Sequence, residues 1–256
     1  MRNSLRLARI VSGRTRRGLT LIELVVVLLV LAALAGMLVP VVQNMVQKSH
    51  GSAGATNIGE IAKAIGLFES QTGRHPDNFD ALYDGTNLVI TAGSGLTAAA
   101  IDDDDLESLN TIGIKAYMVH DPATTNKTFE PYALTAVPTV LASGSQVAIL
   151  SAANVQALGL QPTVLRTATT EPASSPVKYI AFGVGQRTTT IGKTMLDAPV
   201  HFPEAGENPL TTYSRFLAIY AIPRVGPARL ASVAAAHDDG LSGVGGHIAE
   251  YFETQN

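Results

Sequence analysis

The sequence predicts an α+β protein, in which a long hydrophobic N-terminal helix packs against a mostly antiparallel sheet domain. Three observations carry this expectation. An apolar run of 24 residues fills positions 19–42. Ile58, Ile61, Ile65 and Phe68 then recur at intervals of three and four, the spacing of one helical stripe. Beyond residue 77, short β-like runs alternate with loops rich in Thr, Pro, Gly and Ser. No internal repeat aligns.

The apolar run is membrane length. At 1.5 Å per residue it spans roughly 36 Å, against a hydrocarbon core of about 30 Å. Only one acid, Glu23, interrupts it. A charge within a spanning helix costs on the order of 2.5–3.5 kcal/mol at the bilayer centre, so Glu23 calls for a reason. Gly36 and Pro40 near the far end favour a bend, because proline removes a backbone hydrogen bond and clashes with the preceding turn.

Charge sets an orientation. The leader 1–18 holds six arginines and no acid. The remaining 238 residues carry twelve basic groups against 21 acids, a net of about −9. Positive flanks stay in the cytoplasm, so the C-terminal portion is expected outside. An acidic body lacks the positive footprint that nucleic-acid binding needs. The absence of cysteine excludes a disulfide framework and thiolate chemistry.

After the run, residues 48–56 are small and polar, with Gly51 and Gly54 weakening the helix. Order is expected to resume at Asn57, with Glu60 three positions on as in a capping box. Gly73 is the expected C-cap, and Pro76 stops any continuation. In the remaining domain the patterns predict strands at 113–119, 146–150, 177–184 and 214–222. They predict helices at 102–110 behind an aspartate cap, at 151–159 behind Ser151, and at 225–237 with Pro227 near its first turn. Loops are expected at 121–128, 168–176 and 198–212. The organisation read from these features is a basic leader 1–18, a membrane helix 19–42, its continuation 43–74, and a soluble domain 75–256.

Chemical constellations are weak. Asp102 to Asp105 offers several carboxylates to a hard cation, but four adjacent acids cannot all face one ion. Acids at a helix start are favoured by its dipole, so a solvated helix start is the expectation. Asp238-Asp239-Gly240 reads as a plain turn. The six histidines (50, 75, 120, 201, 237, 247) show no paired zinc spacing and are expected at the surface. No G-x-S-x-G elbow occurs, Gly183 and Gly185 lack a third glycine at the required offset, and there is no Walker lysine. The expectation is a non-enzymatic protein with no cofactor and no metal.

The junction Arg16-Arg17-Gly18-Leu19-Thr20-Leu21-Ile22-Glu23 resembles the signal of type IV pilins and type II secretion pseudopilins. That resemblance implies cleavage after Gly18 by a prepilin peptidase and methylation of the new terminus at Leu19, where phenylalanine is more usual. It implies that Glu23, the fifth mature residue, serves assembly, and that Pro40 is the proline many members carry in the helix. The segment 58–82 is similar to the helix end and following turn of pseudopilins, which tips the reading toward the secretion branch. The implied partners are the peptidase, an inner-membrane platform with a cytoplasmic ATPase, and other pilin-like subunits in a helical filament. The implied location is the inner membrane, single-pass, with the domain in the periplasm. A soluble part of about 180 residues departs from the smaller major pseudopilins.

Other readings are a surface type IV pilin for adhesion or DNA uptake and a membrane-tethered binding module. Export signals also compete: an A-x-A site at Ala33-Leu34-Ala35, or a twin-arginine signal at Arg16-Arg17 carrying an enzyme. Neither export route needs Glu23.

Overall fold

A computed structural model describes residues 20–90, 92–120, 137–160, 177–201 and 212–253. The leader, Gly18, Leu19, and the loops expected at 121–128 and 168–176 lie outside the described residues, as does most of 198–212. The chain forms two compact units, residues 1–45 and 46–256. The fold is α+β, as the sequence predicts: a long N-terminal helix and a mixed, mostly antiparallel sheet.

Helix α1 runs Leu21–Thr72 without a break. The continuation expected over 43–74 is there, but the weakening at 48–56 and the fresh cap at Asn57 are not. The reason lies in the glycines: Gly51 and Gly54 are buried, and a Cβ on Gly54 would stand 2.9 Å from the His247 ring. Gly54 is a close-packing position rather than a breaker. The apolar stripe then does what its spacing predicts, with Ile58, Ile61, Ile65 and Phe68 all buried. Gly73, at φ +69°, ends the helix, its N–H donating to the Glu69 carbonyl at 2.8 Å.

Nine strands are formed by the described residues: β1 Phe79–Asp80, β2 Leu96–Ala100, β3 Ala116–Met118, β4 Thr139–Val140, β5 Gln146–Leu150, β6 Val177–Gly183, β7 Leu217–Pro223, β8 Arg229–His237 and β9 Gly240–Ser242. The main order is β4-β3-β1-β6-β7-β8-β9. The second edge of β6 is shared: Ile180 and Ala181 pair with β5, and Gly183 pairs with Asp80 of β1. β2 adds to β5. Only β1 and β3 run parallel among these pairs.

The centre of the sheet is covered on both faces. Ile180, Phe182, Tyr220 and Ile222 pack with Ile58, Ile61 and Ile65 of α1. Tyr179, Ala181, Ile219 and Ala221 face a second cluster that includes Val155, Leu150 and Leu241. Burial on both sides explains why β6 and β7 read as continuous apolar runs rather than alternating ones.

Helix α2, Asp103–Ile112, starts on a full capping box: Asp102 Oδ1 accepts from the Asp105 N–H at 2.8 Å, and Asp105 Oδ2 accepts from the Asp102 N–H at 3.2 Å. The acidic run is only partly a solvated start. Asp105 is fully buried and ion-paired with Lys178 of β6, itself 1 % exposed. Helix α3, Ala152–Ala157, is capped by Ser151. The region expected as a helix at 225–237 is instead β8, paired to β7 on one side and β9 on the other. Pro227 belongs to the β7–β8 turn beside Gly226, at φ +107°, and tertiary pairing overrides the helical preference of Ala234 to Ala236. Asp238-Asp239 forms the turn into Gly240 as expected. A final helix α4, Val244–Glu253, was not apparent from the sequence.

The histidine expectation fails. His75, His120, His201 and His247 are buried, and only His50 is exposed. Burial, then His237, His247 and His50, pushes His201 down to about 3, so its imidazole is neutral at ordinary pH.

Candidate functional site

The first unit carries the sequence signal. Every residue from Thr20 to Gln43 is exposed; Leu21 is 81 % exposed and Met37 73 %. Such a continuous apolar surface needs lipid or other apolar helices around it. Among the described residues α1 is the one helix long and apolar enough to cross a membrane, by length and composition.

Glu23 acquires a local explanation that the sequence reading missed. Thr20 precedes the first helical residue, and Glu23 is the third. Glu23 Oε2 accepts from the Thr20 N–H at 2.8 Å and from the Thr20 hydroxyl at 2.9 Å. The Thr20 hydroxyl in turn accepts from the Glu23 N–H at 3.3 Å. This is a capping box, which satisfies orphan donors at both residues. The T-x-x-E spacing was available in the sequence as a signal. The carboxylate is thereby folded back over the helix N-terminus, where the dipole favours negative charge. Gly18 and Leu19 themselves lie outside the described residues.

Pro40 sits inside α1. Lacking an N–H, it leaves the carbonyl four residues earlier, at Gly36, without its usual helical donor. A Cβ on Gly36 would meet nothing within 4 Å, so that glycine is not required by packing within the chain. Both residues loosen the helix in its apolar part.

In the second unit, the described residues include one strongly perturbed carboxyl and the serines that the sequence places among glycines. Asp80 is the most perturbed carboxyl: burial raises it to about 7, against a hydrogen bond from Tyr213 and the charges of Arg215 and Arg187. Its Oδ2 accepts from the Tyr213 hydroxyl at 2.9 Å, and Gly185 packs so close that a Cβ there would overlap it. It sits on β1 and is buried. Ser94 and Ser145 take part in turns: the Asn154 amide donates to the Ser94 carbonyl, and the Ser145 hydroxyl accepts from the Ala142 N–H.

The prokaryotic N-terminal methylation motif matches residues 13–39. No curated protein and no solved structure gives a match. The motif implies processing by a prepilin peptidase and a pilus-like assembly machinery in general, and pilin-like proteins are generally non-enzymatic structural subunits. With that motif continued by a long helix whose first half is apolar and exposed, the chain carries a type IV pilin-like N-terminal signal.

Proposed function

We propose that this chain is a pseudopilin subunit of a type II secretion system. A prepilin peptidase cuts after Gly18 and methylates the Leu19 amine. The arginine leader stays in the cytoplasm, residues 19–42 cross the inner membrane, and the domain from 75 onward occupies the periplasm. An inner-membrane platform driven by a cytoplasmic ATPase then extracts subunits into a short periplasmic filament. Secretion follows from its growth.

The observation that supports this best is the Thr20–Glu23 capping box at the head of a fully exposed apolar helix. Within the precursor, Thr20 keeps the Glu23 carboxylate hydrogen-bonded. In the filament, the positive Leu19 amine of an adjacent subunit takes over that carboxylate, because an isolated charge in apolar surroundings is costly and a paired one less so. Leucine and valine side chains supply the remaining contact, and Gly36 and Pro40 let the helix adjust as it packs.

Replacement of Glu23 by Ala tests this. The processed protein is expected in the membrane with its domain folded, but absent from sheared or cross-linked filaments, and secretion is lost. Unaltered incorporation of Glu23→Ala overturns the assembly role. Surface fibres containing the protein, with secretion intact in its absence, replace the secretion reading by that of a surface pilin.

A further inference from the structure

Four of the six histidines come together from four separate parts of the second unit. His201 follows Val200 in the segment before β7, His237 ends β8, His247 lies on α4, and His50 lies on α1. The rings of His201, His237 and His247 form a triangle with centroids 4.8, 5.2 and 5.5 Å apart. Nothing in the sequence spacing brings them together; the fold does. His201 Nε2 is buried with no hydrogen-bond partner among the described residues. A buried ring nitrogen left in that state asks for a reason.

Stacking of three imidazoles is one way to fill a core, but a poor one, since aliphatic side chains fill the same volume without polar atoms to satisfy. The spacing has a more specific meaning. Zinc binds imidazole nitrogen at about 2.0–2.1 Å with tetrahedral angles, which leaves the ring centroids of three ligands roughly 5 Å apart. The triangle already has those dimensions. The nitrogens themselves are not converged in this conformation, and no group of three ligand-type side chains among the described residues is set around one point. Rotation about each Cβ–Cγ bond swings the nitrogens while moving the centroids little, and metal binding at this triangle requires that such rotations turn one nitrogen of each ring toward a common point. Beside the cluster a cleft of about 50 Å³, lined by His50, Ala53, Gly54, Asn57, Val200 and His201, leads to solvent. It is large enough to admit water, for which about 10–15 Å³ of such space suffices, and so an ion arriving with part of its hydration shell.

We propose that His201, His237 and His247 form a structural site for a divalent transition ion of the zinc type, with His50 at the open fourth position. Neutral imidazoles suit zinc, copper and nickel, whereas calcium and magnesium want oxygen ligands. The ion ties α4 and the end of β8 to α1 near Gly54, where the missing side chain admits the His247 ring. Its role is to fasten the C-terminal helix to the long helix, with no chemistry at the metal. This inference is independent of the secretion reading.

The test uses untagged full-length protein in detergent, stripped with chelator and dialysed against zinc. Uptake is expected to saturate at one zinc per chain and to raise the melting temperature. Cobalt in place of zinc is expected to give the intense visible bands of a tetrahedral site. His237→Gln and His247→Gln each are expected to weaken uptake at least tenfold, while His120→Gln, outside the cluster, retains one ion. Uptake that does not saturate at one per chain overturns the proposal, as does a weak octahedral cobalt spectrum or full uptake by a folded His237→Gln variant. The cobalt spectrum of the unaltered protein decides even where a variant fails to fold.

Discussion

Residues 20–45 and residues 46–253 apply opposite rules to apolar side chains. In the first, every described residue up to Gln43 is exposed, and 18 of those 24 are Leu, Val, Ile or Ala. In the second, the same residue types fill two clusters on either face of one sheet. The domain completes itself within one chain, while the helix is completed only by lipid or by other helices. That contrast locates the sites of stability and of assembly in different parts of the molecule, and substitutions should separate them.

The largest effect is expected at the buried ion pair. Asp105→Ala leaves Lys178 charged and enclosed, and should cost the domain about 3–5 kcal/mol, read by urea melts. Processing of the signal in such a variant should be unchanged. If it is impaired, the two regions are not independent.

Asp80 offers a pH test confined to the domain. Its carboxyl is raised from the ordinary 3.8 to about 7 in the fold, chiefly by burial. The folded state therefore keeps a proton that the unfolded state releases between those values. The contribution is fully present below 3.8 and is lost as pH rises through 7. Burial of His201, lowered from 6.5 to about 3, slopes the other way, adding stability as pH rises across its own window. The difference between wild type and Asp80→Asn isolates the carboxyl: wild type should lose on the order of 2–4 kcal/mol relative to the variant between pH 4 and 7.5, taking about 1.4 kcal/mol per tenfold change in proton affinity. A parallel pH course in the two proteins contradicts the assignment.

The smallest effects contrast glycines. Gly93→Ala places a Cβ 1.5 Å from the Asp238 carbonyl and should destabilise the domain by about 1–3 kcal/mol. Gly36→Ala meets nothing and should stiffen the helix by up to about 1 kcal/mol, leaving the domain's melting curve unmoved. A shift of that curve by Gly36→Ala breaks the comparison.

The sequence made these regions legible to different degrees. Apolar run, stripe and caps were readable because their signals are local: Asp102 and Ser151 begin helices where side-chain acceptors predict them. Strands β5, β6 and β7 were readable from β-branched and aromatic runs. Strands β2 and β8 were not, since Leu96-Thr97-Ala98-Ala99-Ala100 and Ala234-Ala235-Ala236 use residues that favour helix when isolated. The helix continues through 43–72 as expected, but the weakening assigned to Gly54 was a misreading, because a glycine required by a distant ring looks, in sequence, like one that loosens a helix. The histidine cluster was illegible for the same reason: its members are far apart in the chain. At the candidate site, the residues around the cleavage point were readable from the motif, but the Thr20–Glu23 reciprocity was overlooked although its spacing was present.

The account's central claim is that residues 19–42 are a processed assembly helix. Mass analysis of the N-terminus of the protein isolated from its native membrane tests it most directly. The claim predicts a mature chain beginning at Leu19 with one added methyl group on its amine. A chain retaining Met1, or beginning at Gly36, would contradict it.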